Sequence, residues 1–186
     1  MRGDANMTII KKILYVLLLI TATIICFVYM GIYGVKSNKL SLYSRLSEKV
    51  TVLPSADEIN SFSNVEYFRF KRNFIFESEA HTLKITCDNY DEDIQRLNEK
   101  YHFEEEPVAD KQGNTISSQF SIKYKEYLYE FQMLNNSVYN MSYPNEFILL
   151  GSCDELKQIV YIYFSDSDLD CIDNIENFIS LYCGWA

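Results

Sequence analysis

Residues 13–35 read ILYVLLLITATIICFVYMGIYGV, a run of 23 positions without a charge, an Asn, a Gln or a Pro. As a helix the run reaches about 34 Å, enough to cross a hydrocarbon core of about 30 Å with a slight tilt. A helix at the surface of a soluble domain keeps a polar stripe toward water, and this one has none. The segment is therefore expected to be a transmembrane helix over 13–35 that contacts the lipid bilayer, behind a short cytoplasmic n-region at 1–12. A cleaved secretory signal is the rival, since Lys11 and Lys12 suit its n-region. Its apolar core is usually only about 7 to 15 residues and ends at small residues. Here the exit YMGIYGVKS offers no A-x-A-like pair, and Cys26 follows Ile24 and Ile25 rather than the small residue of a lipoprotein site. An uncleaved signal-anchor is the expectation. Met7 is an alternative start, and with it Arg2 and Asp4 drop out of the charge count.

Orientation is read from what flanks the span. Arg2, Lys11 and Lys12 precede it and Lys36, Lys39, Arg45 and Lys49 follow closely, so the positive-inside count does not choose a side. The lysine pair abuts the apolar start, as in a signal-anchor. Beyond Val35 stand 14 basic and 25 acidic residues, and long domains cross largely regardless of charge. The expectation is a single-pass protein of the cell membrane, N-terminus cytoplasmic and domain outside.

With 17 Lys and Arg against 26 Asp and Glu, the formal net charge is −9. No basic cluster is available to displace phosphate counterions, which sets nucleic acid aside as a partner. Residues 36–62 read as a juxtamembrane stalk with short helices. Leu40, Tyr43, Leu46 and Val50 recur at helical spacing, and Ser55 to Glu58 forms the S-x-x-E capping box. Residues 63–186 read as the extracytoplasmic domain. Strands are expected at 65–71, 74–78 and 82–88, with a tight turn at Arg72-Asn73 and with Leu83, Ile85 and Cys87 on one face. A helix over 90–102 follows, with stripe Ile94, Leu97 and Tyr101, an acidic first turn and a Glu92 to Arg96 pair. A polar loop covers 103–115. Strands at 116–124, 127–134, 147–150 and 156–165 come next, the last apolar on both faces and so central. A final helix carries Ile172, Ile175, Ile179 and Tyr182, with Asp170 as its cap. Short links force antiparallel neighbours, giving an α+β fold: an N-terminal transmembrane helix, then a mostly antiparallel sheet with helices on one face.

Of the five cysteines, Cys87, Cys153, Cys171 and Cys183 lie in the domain. Cys171 and Cys183 bracket the last helix about 18 Å apart, beyond the reach of a disulfide. Cys87 could pair with Cys171 or Cys183, and Cys153 with the other. Free thiols are the alternative, favoured by the apolar face that Cys87 shares. No CxxC supports zinc. His81, at an expected turn, and His102, at a helix end, have no GxSxG, HExxH or SxxK beside them, and no GxxxxGK or GxGxxG cradles a phosphate. No catalytic residue, cofactor or metal is assigned, and the chain is expected not to be an enzyme. Asp166, Asp168 and Asp170 alternate like a calcium loop but lack its glycine and its final glutamate, with Cys171 and Asn177 in those places.

Fifteen tyrosines are an unusual count, and 12 follow Val35. The stretch 135–145, NNSVYNMSYPN, gathers Tyr, Asn and Ser, residue types that bind partners by ring contact and adaptable hydrogen bonds. Tyr139, Asn140 and Tyr143 are the candidate partner-binding residues. The compositional alternative is AT-rich codon usage. Asn135 and Asn140 open N-x-S sequons.

In layout, with a lysine pair, an apolar span and a small domain rich in Ile, Asn and Tyr, the chain resembles the small uncharacterised single-pass membrane-anchored proteins of clostridial-type, low-GC Gram-positive bacteria. That resemblance implies a place in the membrane and no activity. The functional expectation is a protein- or envelope-interaction module. The alternatives are an immunity-type or chaperone-like inhibitor binding a basic partner, and a hydrolase built on a histidine beside a Cys or Ser.

Overall fold

The structure is a computed structural model that describes residues 2–73, 77–109, 115–141, 145–166 and 175–185. Helix α1 (Arg2–Tyr33) contains the stretch Ile10–Tyr33, 24 residues long and apolar enough to cross a membrane. The hydroxyls of Thr21 and Thr23 donate back to the carbonyls of Leu17 and Leu19, which removes the polar exception from its surface.

Strand β1 (Val35–Ser37) follows after a single residue, then helices α2 (Ser41–Lys49) and α3 (Ala56–Ile59). The short helices expected over 36–62 are present, and they pack into the domain rather than standing apart as a stalk. β1 joins the sheet beside the next strand, and Tyr43, Leu46, Val50, Leu53 and Ile59 are buried in the core. The helical spacing of Tyr43, Leu46 and Val50 is the inner face of a packed helix. The capping box is present, with Glu58 N–H donating to Ser55 Oγ (3.2 Å) and Ser55 N–H to Glu58 Oε2 (2.6 Å).

Strands β2 (Asn64–Asn73) and β3 (Glu77–Thr86) form one long hairpin, which replaces the three strands expected there. The strand runs through Arg72-Asn73, read as a turn, and the connection at 74–76 lies outside the described residues. Polar Glu79 and His81 look like loop residues in isolation. Across the hairpin Glu79 stands opposite Lys71 and His81 opposite Arg69, and the opposite charges of Glu79 and Lys71 support pairing.

Helix α4 (Tyr90–Lys100) buries Tyr90 and Leu97, with Tyr101 buried just beyond its end. Its charge pair is Arg96 with Asp93 (2.7 Å), one position short of the expected Glu92. The loop expected over 103–115 contains a small separate sheet, β4 (Val108–Ala109) with β5 (Thr115–Ile116), so β6 (Gln119–Tyr124) starts later than expected. β7 (Tyr127–Met133), β8 (Glu146–Cys153) and β9 (Gln158–Asp166) continue as a meander, and α5 (Ile175–Tyr182) closes the chain. The start of the expected last helix, with Asp170 and Ile172, lies outside the described residues.

The seven strands stand in the order β1-β2-β3-β9-β8-β7-β6, every neighbouring pair antiparallel. β9 is central, as its two apolar faces predict. The fold is α+β, and α2, α3 and α4 cover one face as expected. α5 covers the other, with Phe178, Ile179, Cys183 and Trp185 packed on Phe147, Phe164 and Phe131, so the sheet has a core on both sides.

Candidate functional site

Among the described residues, the candidate partner loop lies on the α4 side of the sheet. α4 ends at Tyr101, whose extended backbone sends the chain along the end of β7: Phe103 bridges Leu134, and Asn135 N–H donates to His102 O (2.9 Å). The loop is then tied down from within. Asn135 Oδ1 accepts from Ser137 Oγ (2.6 Å) and Val138 N–H (3.1 Å), and Glu104 accepts from Asn136 N–H (2.9 Å) and Asn135 Nδ2 (3.3 Å). Asn140 takes a left-handed conformation with φ of +55°, which Asn tolerates better than most residues.

Tyr139 and Asn140 line a cleft of about 500 Å3 together with Val138, Tyr101, Lys49 and Lys100. Tyr139 stacks edge-on against Tyr101 (6.2 Å between centroids), and its hydroxyl accepts from His102 N–H (2.9 Å). Tyr101 in turn donates to Val52 O (2.9 Å), fastening the opposite wall. The adaptable loop expected from composition is thus a pre-ordered one, and the Tyr139 hydroxyl already has a partner inside the protein. Val138, half of its surface exposed, and Asn140 remain for a ligand, flanked by two ammonium groups and by Glu146. Tyr143 lies outside the described residues. Lys49, Lys100 and Val138 were not legible as site residues. The two lysines each end a helix, where a cation suits the dipole, and only the fold brings those ends together.

A second polar cluster sits beneath α2. His81 is buried in mid-strand on β3, not at a turn. Arg69 Nε and Nη2 converge on Glu79 Oε1 (2.9 and 2.6 Å), His81 Nε2 lies 2.8 Å from the same oxygen, and Lys71 Nζ stands 3.4 Å from Oε2. Burial alone would raise the Glu79 pKa, but the hydrogen bonds from His81 and Arg69 outweigh it and hold it down at about 2. An ionised Glu79 only accepts, so His81 Nε2 carries the proton, and its Nδ1 accepts from the Tyr67 hydroxyl. Burial also lowers the His81 pKa, which keeps the ring neutral near pH 7. Arg45, Lys49, Leu46 and Tyr163 close a cavity of about 130 Å3 over the cluster. Among the described residues, neither histidine ring is hydrogen-bonded to a Ser or Cys.

Cys87, Cys153 and Cys183 are buried free thiols. Cys87 belongs to the α4 side and the other two to the α5 side, so the sheet stands between Cys87 and Cys183 and excludes that pairing. Burial pushes the thiols of Cys87 and Cys183 up to about 12. Cys171 lies outside the described residues. Asp166 is buried at the end of β9, its N–H donating to Asn145 O (2.7 Å), while Asp168 and Asp170 lie outside the described residues. Among the described residues, no three His, Cys, Asp or Glu side chains come together as a metal site. The Asn135 side chain is engaged in its own turn, whereas Asn140 is exposed. Compared with protein families, curated proteins and solved structures, the chain matches none of them.

Proposed function

We propose that this chain is a single-pass membrane protein, N-terminus cytoplasmic, whose acidic α+β domain outside the membrane engages a protein or envelope partner through the Val138–Asn140 cleft. The observation that carries this reading is the loop's internal fastening. A loop whose hydrogen bonds are already made loses little conformational freedom on binding, and here it leaves an apolar side chain and an amide exposed between two lysines. The Lys11-Lys12 pair directly before the apolar helix supports the orientation.

A photo-crosslinking residue at Val138 of the full-length chain in its native membrane tests the cleft. A discrete adduct at Val138, missing at the remote Glu155 and weakened by Lys100→Glu, is the expected result. Equal labelling at both positions would remove the cleft from consideration. Protease treatment of intact cells tests the orientation, since an external domain is digested and a cytosolic one is spared.

A second reading has its own support. From Phe74 on there are 7 basic and 21 acidic residues. Such a field accelerates association with a basic partner, as an immunity-type inhibitor requires. Capture that weakens steeply with salt and ignores Lys100→Glu would favour it.

A further inference from the structure

Almost nothing separates the apolar helix from the sheet. α1 ends at Tyr33, Gly34 turns the chain with φ of +72°, and β1 begins at Val35. A Cβ on Gly34 would stand 2.3 Å from the Phe70 ring, so the turn packs directly on β2. The register pairs Val35 with Lys71, and Arg72 and Asn73 therefore run on past the helix exit, back beside α1. β2 packs against α1. On a helix otherwise exposed from Ile10 to Tyr33, Val28 is half-buried and Gly31 buried.

Lengths decide where this end of the sheet lies. Behind Lys11 and Lys12 the apolar part of the helix, Ile13–Tyr33, is about 32 Å long against a hydrocarbon core of about 30 Å, which puts Tyr33 at the outer boundary of that core. Two strand residues past Lys71 span about 7 Å. Asn73 then falls at the top of the acyl chains, within about 5 Å of the headgroup boundary. The exposed rings of Tyr29 and Tyr33, 4.6 Å apart, sit at the same end of the helix, where tyrosines favour the membrane interface. Charge agrees. At this end Lys36, Lys71 and Arg72 stand with Glu77 and Glu79 across the hairpin, three basic side chains against two acidic ones, where the chain from Phe74 on holds 7 basic and 21 acidic residues. Lys36 is exposed on β1, and a quarter of the Lys71 side chain is exposed beside Glu79.

We propose that the β1–β2 end of the sheet docks on anionic lipid headgroups, with Lys36 and Lys71 meeting the headgroup charge and Asn73 at the top of the acyl chains, so that the domain stands in one fixed attitude on the bilayer. This rests on the reading that α1 spans the membrane. The full chain in lipid nanodiscs provides the test, with tryptophans added one at a time as Leu18→Trp, Asn73→Trp or Glu155→Trp and quenched by lipids brominated high or low on the acyl chain. The buried Trp185 of the parent is subtracted. Leu18→Trp is quenched by the deep bromines, Asn73→Trp by the shallow ones and Glu155→Trp by neither. Quenching at Asn73→Trp is about twofold stronger with phosphatidylglycerol than with phosphatidylcholine alone, and Lys36→Gln with Lys71→Gln removes the difference. An unquenched Leu18→Trp overturns the spanning helix. A quenched Leu18→Trp with an unquenched Asn73→Trp overturns the docking alone, and equal quenching in both lipids overturns the anionic preference.

Discussion

The two faces of the seven-stranded sheet bury cores of similar extent but different chemistry. Under α5 the buried aromatic side chains are Phe70, Phe131, Phe147, Phe164, Phe178 and Trp185, with Tyr129 as the one buried tyrosine there among the described residues. Under α2, α3 and α4 they are Tyr43, Tyr67, Tyr90, Tyr101, Tyr161 and Tyr163. The difference follows from what covers each face. On the tyrosine side, short helices of 9, 4 and 11 residues alternate with irregular chain, whose carbonyls lack helical partners. Tyr43 donates to Pro54 O, Tyr101 to Val52 O, Tyr90 to Asp154 and Tyr163 to Glu146. A tyrosine fills core volume and supplies a donor at its far end. The high tyrosine count thus has a structural use.

If the faces differ in this way, deleting volume on one should cost much more than deleting a hydroxyl on the other. Phe164 is fully buried, with its ring centroid 4.4 Å from that of Phe178 and 5.1 Å from that of Phe147. Phe164→Ala should destabilise the domain by about 3–5 kcal/mol, read from urea unfolding of the full chain in detergent. Trp185 is the only tryptophan and stacks near Tyr129 and Phe131, so its emission reports the phenylalanine face. Circular dichroism follows the whole sheet. Coincident transitions would show one cooperative unit, and separated ones would show that the faces melt independently.

The polar cluster belongs to the tyrosine side and should give it a pH dependence. Glu79→Gln takes the counter-charge from Arg69 and Lys71 at a site where about a quarter of the carboxylate is still exposed, and should cost about 2 kcal/mol. The Glu79 pKa lies below its unfolded value of 4.5, so its contribution is complete above that pH and is lost as pH falls toward about 2. His81 is also held below its ordinary 6.5, and the unfolded chain takes up that proton first, so the loss begins as pH drops below 6.5. The wild-type chain should show both steps in urea midpoint against pH. Glu79→Gln should lack the one below 4.5, and an unchanged profile would mean that the cluster does not set acid stability.

This cluster also marks where sequence reasoning reaches its end. Alternation and apolar content sufficed for β7, β8 and the central β9, because a strand buried on both faces declares itself by composition. They failed for 79–81, where Glu79 and His81 are paired by residues eight to twelve positions earlier, and a local window cannot see a partner across a hairpin. Where the short helices of 36–62 dock is illegible for a related reason. An amphipathic helix shows that it has an apolar side, but not what lies against it, and here that is Tyr67, Leu83 and Tyr161 of the same domain. Of the candidate cleft, Tyr139 and Asn140 were legible by residue type, whereas Lys49 and Lys100, 51 positions apart, meet only through the fold.

The smallest expected effect separates packing from hydrogen bonding on the tyrosine face. Tyr43 is buried, its ring packs edge-on to Tyr67 at 5.8 Å, and its hydroxyl donates to Pro54 O at 2.7 Å. Tyr43→Phe keeps the ring and all of its apolar contacts, but leaves a carbonyl of the 50–55 connection without its donor. The cost should be about 1 kcal/mol, well below that of Phe164→Ala, because only one net hydrogen bond is lost. Hydrogen exchange gives the sharper readout. If the hydroxyl fastens the connection to the core, the amides of Val50 and Leu53, bonded to Leu46 O and Val50 O, should exchange faster in Tyr43→Phe while those of β9 stay as they were. Equal acceleration in both places would mean that Tyr43 acts through global stability alone, and that the hydroxyl does not set the tyrosine face apart.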